Sequence, residues 1–241
     1  MKLLFGLLIF SIFLFAFTSK KKQRILIFTK TTEHRHSSAI RAGRQAILLL
    51  GKENNIIVDT TQDASMFTAD NLKKYKAVVF LITTGDNLLN PEQKSAFQNY
   101  IRSGGGFVGV HGASDAEYSW DWYEKLVGGR FQGHPPTQMA KVIVVDAKHL
   151  STKGLPQVWE RTDEWYNFKN LNPDVHVVLK LDETSYKGGK HGDNHPVAWY
   201  HAYDGGRAFY TELGHTDESY TEPLYLQHLL GGIKYAMGLK K

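Results

Sequence analysis

The sequence predicts an α/β protein: a doubly wound, mostly parallel sheet extended by antiparallel strands, all within one domain. Three observations carry this. Short apolar runs suited to strands buried on both faces alternate with amphipathic helical segments through the first half. The second half becomes a series of extended segments, two of which flank Asp204-Gly205-Gly206, a good hairpin turn. No linker, low-complexity tract or repeat divides the 241 residues, which excludes a solenoid or propeller.

In order along the chain, residues 24–28 (RILIF) form a continuous apolar run and the first buried strand. Ser37 or Ser38 caps a helix whose Ala39, Ala42, Ala46 and Leu49 recur at helical spacing as far as Gly51. Residues 55–60 are a second strand. Residues 77–82 are a third, ending in Thr83-Thr84-Gly85-Asp86. Pro91-Glu92 opens an amphipathic helix to Arg102, stopped by Gly104-Gly105-Gly106. That glycine run precedes its strand, whereas a phosphate loop must follow one, so it is structural. Residues 107–110 are the fourth strand and deliver the chain into His111-Gly112. Residues 141–145, 158–168, 175–181, 197–203 and 208–213 read as extended, and 222–237 as a closing amphipathic helix with Pro223 early in it.

Residues 3–17 are apolar apart from Gly6 and Ser11 and follow Lys2. That length suits a secretory signal over residues 1–19 and is short of the roughly 20 residues that span a bilayer. The expectation is an exported protein, periplasmic or extracellular, with a folded domain over 23–239. The basic cluster after the run, Lys20-Lys21-Lys22 with Arg24, supports the alternative of an uncleaved N-terminal anchor, the only contact with membrane that the sequence suggests. The net charge of +5 comes from scattered Lys and Arg without a basic stripe interleaved with aromatics, so nucleic acid is not an expected partner. With no cysteine in the chain, thiol catalysis, disulfides and a lipoprotein anchor are all excluded.

Parallel strands deliver their carboxyl ends to one cleft, and six polar clusters fall at or beside such ends. They are Glu33–Ser37, His111–Asp115, Gly128–Pro135, Asp163–Tyr166, His195–Trp199 and Gly214–Thr216. His111 stands at a strand–turn–helix elbow, where a residue is held sharply exposed, and can serve there as general base, donor or metal ligand. With 158–168 read as one strand, its two-residue period puts Glu164 and Tyr166 on one face; the structural alternative is a core tyrosine with a hydrogen-bonded glutamate. His36, His134 and His215 are further candidates, against the alternative of loop histidines tying down backbone. Asp115 either orients His111 or caps the next helix. His195 serves the site or shapes the turn before Pro196, while His149, His176, His191 and His228 read as surface or packing residues. No local zinc motif occurs. His36, His111, His134 and His215, with Glu164 or Asp115, are nevertheless a set that a fold can gather around a divalent ion such as Zn²⁺ or Mn²⁺.

Taken together and in order, His36-Ser37, GGGFVGVHGASD (104–115), GGRFQGHPP (128–136), DEWYNF (163–168) and HPVAWYH…GGRAFYTELGH (195–215) resemble the ThuA-like, trehalose-utilisation family. The resemblance covers nearly all of the chain beyond residue 22. It implies a fold similar to class I glutamine amidotransferases, a flavodoxin-like arrangement that agrees with the parallel sheet. Those enzymes carry cysteine at the elbow where this chain has His111, so amidotransferase chemistry is not expected. The resemblance also implies sugar catabolism, particularly of disaccharides oxidised to a 3-keto form. A C3 ketone acidifies the C2 hydrogen, so a base can form an enolate that expels the C1 oxygen, after which water adds back. On this reading His111 or Glu164 is the base, a metal or His134 and His215 polarise the ketone, and Tyr166 assists the leaving group. His36, Asp115, Gln132, Trp199 and His215 contact a small carbohydrate, with Trp120, Trp122 and Trp165 as further apolar faces. The rival readings are a non-catalytic carbohydrate-binding or interaction protein on the same fold, and a hydrolase of unoxidised glycosides using two carboxylates.

Overall fold

In a computed structural model, the structure of residues 22–239 is described. The segment read as an export signal lies outside them. Among the described residues no helix is long and apolar enough to cross a membrane.

Five parallel strands form the centre: β1 (Gln23–Phe28), β2 (Ile56–Thr61), β3 (Ala77–Leu81), β4 (Gly106–Val110) and β11 (Gly206–Thr211). Antiparallel pairing continues from β11 to β10 (His195–Tyr203), β9 (His176–Asp182), β6 (Gln138–Val144) and β7 (Val158–Asp163). The nine strands lie in the order β2-β1-β3-β4-β11-β10-β9-β6-β7. Four reversals of direction separate β11 from β7, so β7 again runs with the parallel set and ends at the same edge. That is how the mixed sheet, as expected from the sequence, brings its two halves to one site.

The continuous apolar runs are explained by helices on both faces. Ile25, Ile27, Val79 and Leu81 pack with Ile40 and Ile47 of α1 (Ser37–Glu53) and with Leu229 and Ile233 of α5 (Pro223–Ala236). The alternate residues Leu26, Phe28, Val78 and Phe80 pack with Leu72 of α2 (Ala69–Leu72), Phe97 of α3 (Pro91–Arg102) and Tyr123 of α4 (Asp121–Val127). Asn90 closes a reciprocal capping box with Gln93 at the start of α3, reinforcing the Pro91 signal. The hairpin turn is as expected, with Asp204 and Gly205 both at positive φ (46° and 91°), which matches the twist of β10 and β11.

Two expectations are corrected. The segment 158–168 is not one strand: β7 stops at Asp163, and β8 (Asn167–Lys169) pairs instead with β5 (Arg130–Gly133) in a separate two-stranded ribbon. Neither Ser37 nor Ser38 caps α1. His36 occupies the cap position, without a side-chain capping bond.

Candidate functional site

β3 and β4, neighbours in the sheet, are each followed by a non-glycine residue in the left-handed region, Ile82 (φ 52°) and His111 (φ 48°). Such a backbone costs roughly 1–3 kcal/mol and persists only where its surroundings fix it. At His111 they do. Its carbonyl accepts the Tyr210 hydroxyl at 2.9 Å, and Tyr210 also meets Ser114 Oγ at 2.8 Å. Gly112 follows because a Cβ there would lie 2.9 Å from Thr84 Cγ2 and 3.1 Å from the Thr83 carbonyl.

The His111 ring is fully buried, and its Nδ1 lies 2.7 Å from the Glu212 carbonyl. A carbonyl only accepts, so Nδ1 donates there and Nε2 faces the cluster. Around that nitrogen stand Tyr166 Oη at 2.9 Å, His215 Nδ1 at 3.1 Å and Glu164 Oε2 at 3.3 Å. Glu164 Oε2 is equally 3.3 Å from His215 Nδ1, and its Oε1 is 3.1 Å from His134 Nδ1. The His36 ring lies 5.6 Å from that of His111 and 5.0 Å from that of His215, and its Nδ1 is buried without a hydrogen-bond partner. One ligand atom from each of His36, His111, Glu164 and His215 lies within 4.8 Å of the other three.

The charges follow from this crowding. Burial, then the neighbouring His111, His215 and His34, push His36 down to about 3 against the pull of Glu164, so its ring is neutral. Burial disfavours ionised Glu164, but hydrogen bonds with His111 and His215, and their charge, hold its carboxyl well below the ordinary range. His215 is raised by its bond to Glu164, with burial opposing. Tyr166 is raised well above 10 by burial, then by nearby Tyr210 and the carboxyl groups.

Residues outside the expected metal set hold this arrangement. Asp163 Oδ1 accepts the N–H groups of Glu164 (3.0 Å) and His215 (3.1 Å), while Oδ2 accepts that of Gly214 (2.9 Å) and pairs with Arg161 at 3.0 Å. Tyr166 is fixed through its backbone: its N–H donates to Glu212 Oε1 at 2.7 Å, and its carbonyl lies 2.7 Å from His195 Nε2. Glu212 is fully buried, its pKa raised well above the usual carboxyl value by burial, and its Oε2 has no partner. Nothing in the local sequence Thr211-Glu212-Leu213 distinguishes this glutamate from an exposed strand-end acid.

The other expected residues divide. His134 is outside the four-residue group. Exposed on the ribbon side, it meets the far oxygen of Glu164, so the expected set of four histidines becomes three histidines and a glutamate. Asp115 ends the turn that follows β4, half-buried, with its carboxyl 2.8 Å from Tyr118 Oη. Gln132 is exposed on β5. Trp199 is not a sugar platform: it is fully buried, donates to the Val127 carbonyl at 2.7 Å and packs on Tyr210 and Phe168. Trp165 is also fully buried and Trp120 nearly so. His195 positions Tyr166 instead of joining the cluster. Of the four histidines read as surface or packing, His149 and His228 are buried, and His176 is exposed.

Residues 24–236 match the family model ThuA, described as trehalose utilisation. A ThuA-like protein from Bacteroides uniformis is 25% identical, with a TM-score of 0.77 over 91% of this chain and 93% of the other. A second, from Parabacteroides merdae, is 19% identical with a TM-score of 0.71 over 92% and 93%. A cytoplasmic protein from Salmonella typhimurium, 13% identical, shares the fold with a TM-score of 0.63 over 89% and 99%. No curated protein matches the chain significantly.

Proposed function

The chain belongs to the ThuA (trehalose utilisation) family, and from that premise we propose that it is a carbohydrate-catabolism enzyme acting on 3-keto glycosides or disaccharides by acid–base elimination and hydration, with a divalent metal bound. The observation that carries the reading is the group His36, His111, Glu164 and His215, whose donor atoms lie within 4.8 Å of one another. Three imidazoles and a carboxylate suit Zn²⁺ or Mn²⁺. The fit is supported by the buried, unpartnered Nδ1 of His36 and by the Nε2 of His111, which faces the cluster while its Nδ1–H is fixed to the Glu212 carbonyl. When bound, such an ion supplies Lewis acidity toward a ketone oxygen.

With His111 and Glu164 as ligands, the base must come from elsewhere. His134 Nδ1 faces two acceptors, Glu164 Oε1 at 3.1 Å and the Pro135 carbonyl at 3.0 Å, so it serves as a donor there and Nε2 is the nitrogen left to act as base on an exposed ring. His134 takes the C2 proton. Tyr166 keeps its own proton because burial raises its pKa, so it stabilises developing negative charge on oxygen by hydrogen bonding and does not transfer a proton to the leaving group. Export directed by residues 1–19 belongs to the same reading, and N-terminal sequencing of the mature protein tests it.

The deciding experiment is elemental analysis of the purified protein and its His111→Ala variant, with both assayed on 3-keto-glucosides with and without added metal. Stoichiometric metal in the wild type, lost in the variant together with turnover, is expected. Binding of the sugar without turnover or metal in either protein would move the reading to a non-catalytic carbohydrate-binding protein.

A further inference from the structure

Expulsion of the C1 oxygen calls for a proton donor, and at the rim of the site one phenol bridges two carboxyl groups. Asp115 ends the turn that begins at His111. Its N–H donates to the Gly112 carbonyl at 2.8 Å, and its own carbonyl accepts the Gly85 N–H at 2.9 Å, so its position is fixed through the backbone. The Asp115 carboxyl places Oδ1 2.8 Å from Tyr118 Oη, and Glu33 Oε2 lies 3.3 Å from the same oxygen. A phenol has one proton to donate, while two ionised carboxylates can only accept. With both ionised, one of the two contacts is repulsive. With one protonated, both are hydrogen bonds. The arrangement therefore favours a retained proton, as in other carboxyl pairs sharing one site.

The groups facing Asp115 decide which carboxyl holds it. Glu33 is exposed and solvated. Asp115 is half-buried, and burial together with the Glu33 charge pushes it up to about 6, against the Tyr118 hydrogen bond and the charges of His111 and His134. Tyr118 is raised further, by burial and then by Asp115, so the phenol passes a proton along without losing its own. Its main chain is also held, since Arg130 Nη1 donates to the Tyr118 carbonyl at 2.7 Å. Solvent, Glu33, Tyr118 and Asp115 thus form a short line that ends on the turn opened by His111.

We propose that Asp115 is the general acid that protonates the departing glycosidic oxygen, and that Tyr118 and Glu33 return its proton from solvent. This rests on the keto-glycoside reading. As His134 takes the C2 proton, the C2–H electrons pass into the C3 ketone as an enolate, whose collapse forms the C1=C2 bond while the C1–O bond breaks with its pair. The leaving oxygen takes the Asp115 proton, giving a free alcohol, an unsaturated 3-keto sugar and an ionised Asp115. Water then adds: its hydroxyl bonds to C1, His134 returns its proton to C2, and the remaining proton of the water goes to solvent as Asp115 is recharged through Tyr118 and Glu33. The net reaction is hydrolysis, and no oxidant or reductant is required.

The test compares two 3-keto-glucosides, one with a nitrophenol aglycone that leaves without help and one with a simple alkyl alcohol that does not. In Asp115→Asn, kcat/KM on the alkyl glycoside is expected to fall by about 10²-fold or more, the usual worth of general acid catalysis. On the nitrophenyl glycoside it should change by no more than about threefold. Tyr118→Phe, which keeps the ring's packing, should show a smaller loss confined to the alkyl substrate. Metal content and Tm of each variant check the fold. Equal losses on both substrates, or no loss on either, would overturn the assignment of Asp115 while leaving the keto-glycoside reading standing. Wild-type inactivity on both substrates would overturn the two together.

Discussion

The most informative perturbation of the site is Asp163→Asn, because one buried carboxylate holds two of the four candidate ligands. Its oxygens accept three backbone N–H groups, those of Glu164, Gly214 and His215, and face Arg161, whose side chain is 3% exposed. The asparagine is isosteric but offers only one accepting oxygen. If that oxygen keeps the Glu164 and His215 bonds, the new amide points donors at the Gly214 N–H and the Arg161 guanidinium. If it turns round, it keeps the Gly214 N–H, and the N–H groups of Glu164 and His215 lose their acceptor. In either case Arg161 stays buried without its counter-charge, apart from Glu222 at 3.6 Å. Leaving one member of a buried pair unmatched costs about 3–5 kcal/mol. For a domain of this size that corresponds to a fall in Tm on the order of 10 °C. Looser ligands of this kind typically weaken metal binding by about 10- to 100-fold. Thermal unfolding in excess chelator reads the first effect, and competition with a chromophoric chelator reads the second at a temperature where the variant is folded. A variant with wild-type Tm and wild-type metal affinity would refute both the role given to Asp163 and the coupling of its two loops.

Three further outcomes are expected. Tyr166→Phe, which removes the hydroxyl 2.9 Å from His111 Nε2, should lower kcat by about 10- to 10³-fold with metal content intact, since the lost donor serves developing charge; a change in KM alone would contradict this. Trp199→Ala should destabilise the fold by about 3–5 kcal/mol in urea titrations, because the indole fills the core beneath β10, while metal content per folded molecule stays unchanged. His228, fully buried between the Ser151 carbonyl and Thr211 Oγ1, is pushed by burial from 6.5 down to about 3. The folded ring stays neutral where the unfolded chain takes a proton, so stability present above pH 6.5 is lost as pH falls toward 3, at about 1.4 kcal/mol per pH unit. Between pH 6.5 and 5 the wild type should therefore lose about 2 kcal/mol more than His228→Gln, and parallel pH profiles would count against a neutral buried ring.

The parallel half of the fold was legible because its strands are buried on both faces, and a run such as Arg24-Ile25-Leu26-Ile27-Phe28 admits few other readings. The break in 158–168 was not legible, because the residues Glu164-Trp165-Tyr166 continue the pattern of an extended segment. What ends β7 is non-local: the Asp163 carboxylate captures the next N–H, and Glu212 and His195, about 46 and 29 residues further on, capture the backbone of Tyr166. Glu164 and Tyr166 do meet at His111, though a shared strand face is not what brings them there. Position at a strand end identified His36, His111 and His215, since parallel strands share an edge. It could not separate His134 from the group, or show that the glutamate takes that place. Trp199 misled for a related reason. Alternation in β10 gives two faces, and the sequence does not say which of them is covered by the α4 side of the core.

His111 shows why the site is spread across the chain. A histidine at φ 48° on a free peptide would be an unfavourable minority state, and its Nε2 could point anywhere. Here Tyr210 holds the carbonyl and Glu212 holds Nδ1, so the ring is aimed before any ligand arrives. The strain of roughly 1–3 kcal/mol is offset by these contacts from β11 and the residue after it. The remaining donors come from three separate stretches, around residues 36, 164 and 215, which approach one another only when the sheet is complete. No short segment of this chain contains the four donors, so ion affinity at this centre is coupled to the folding of the whole domain. An ion held there would then stabilise the fold by RT ln(1 + [L]/Kd), about 2.7 kcal/mol at a hundredfold excess over Kd. The rise in Tm on metal addition and the affinity of the folded protein are on this argument two readings of one free energy.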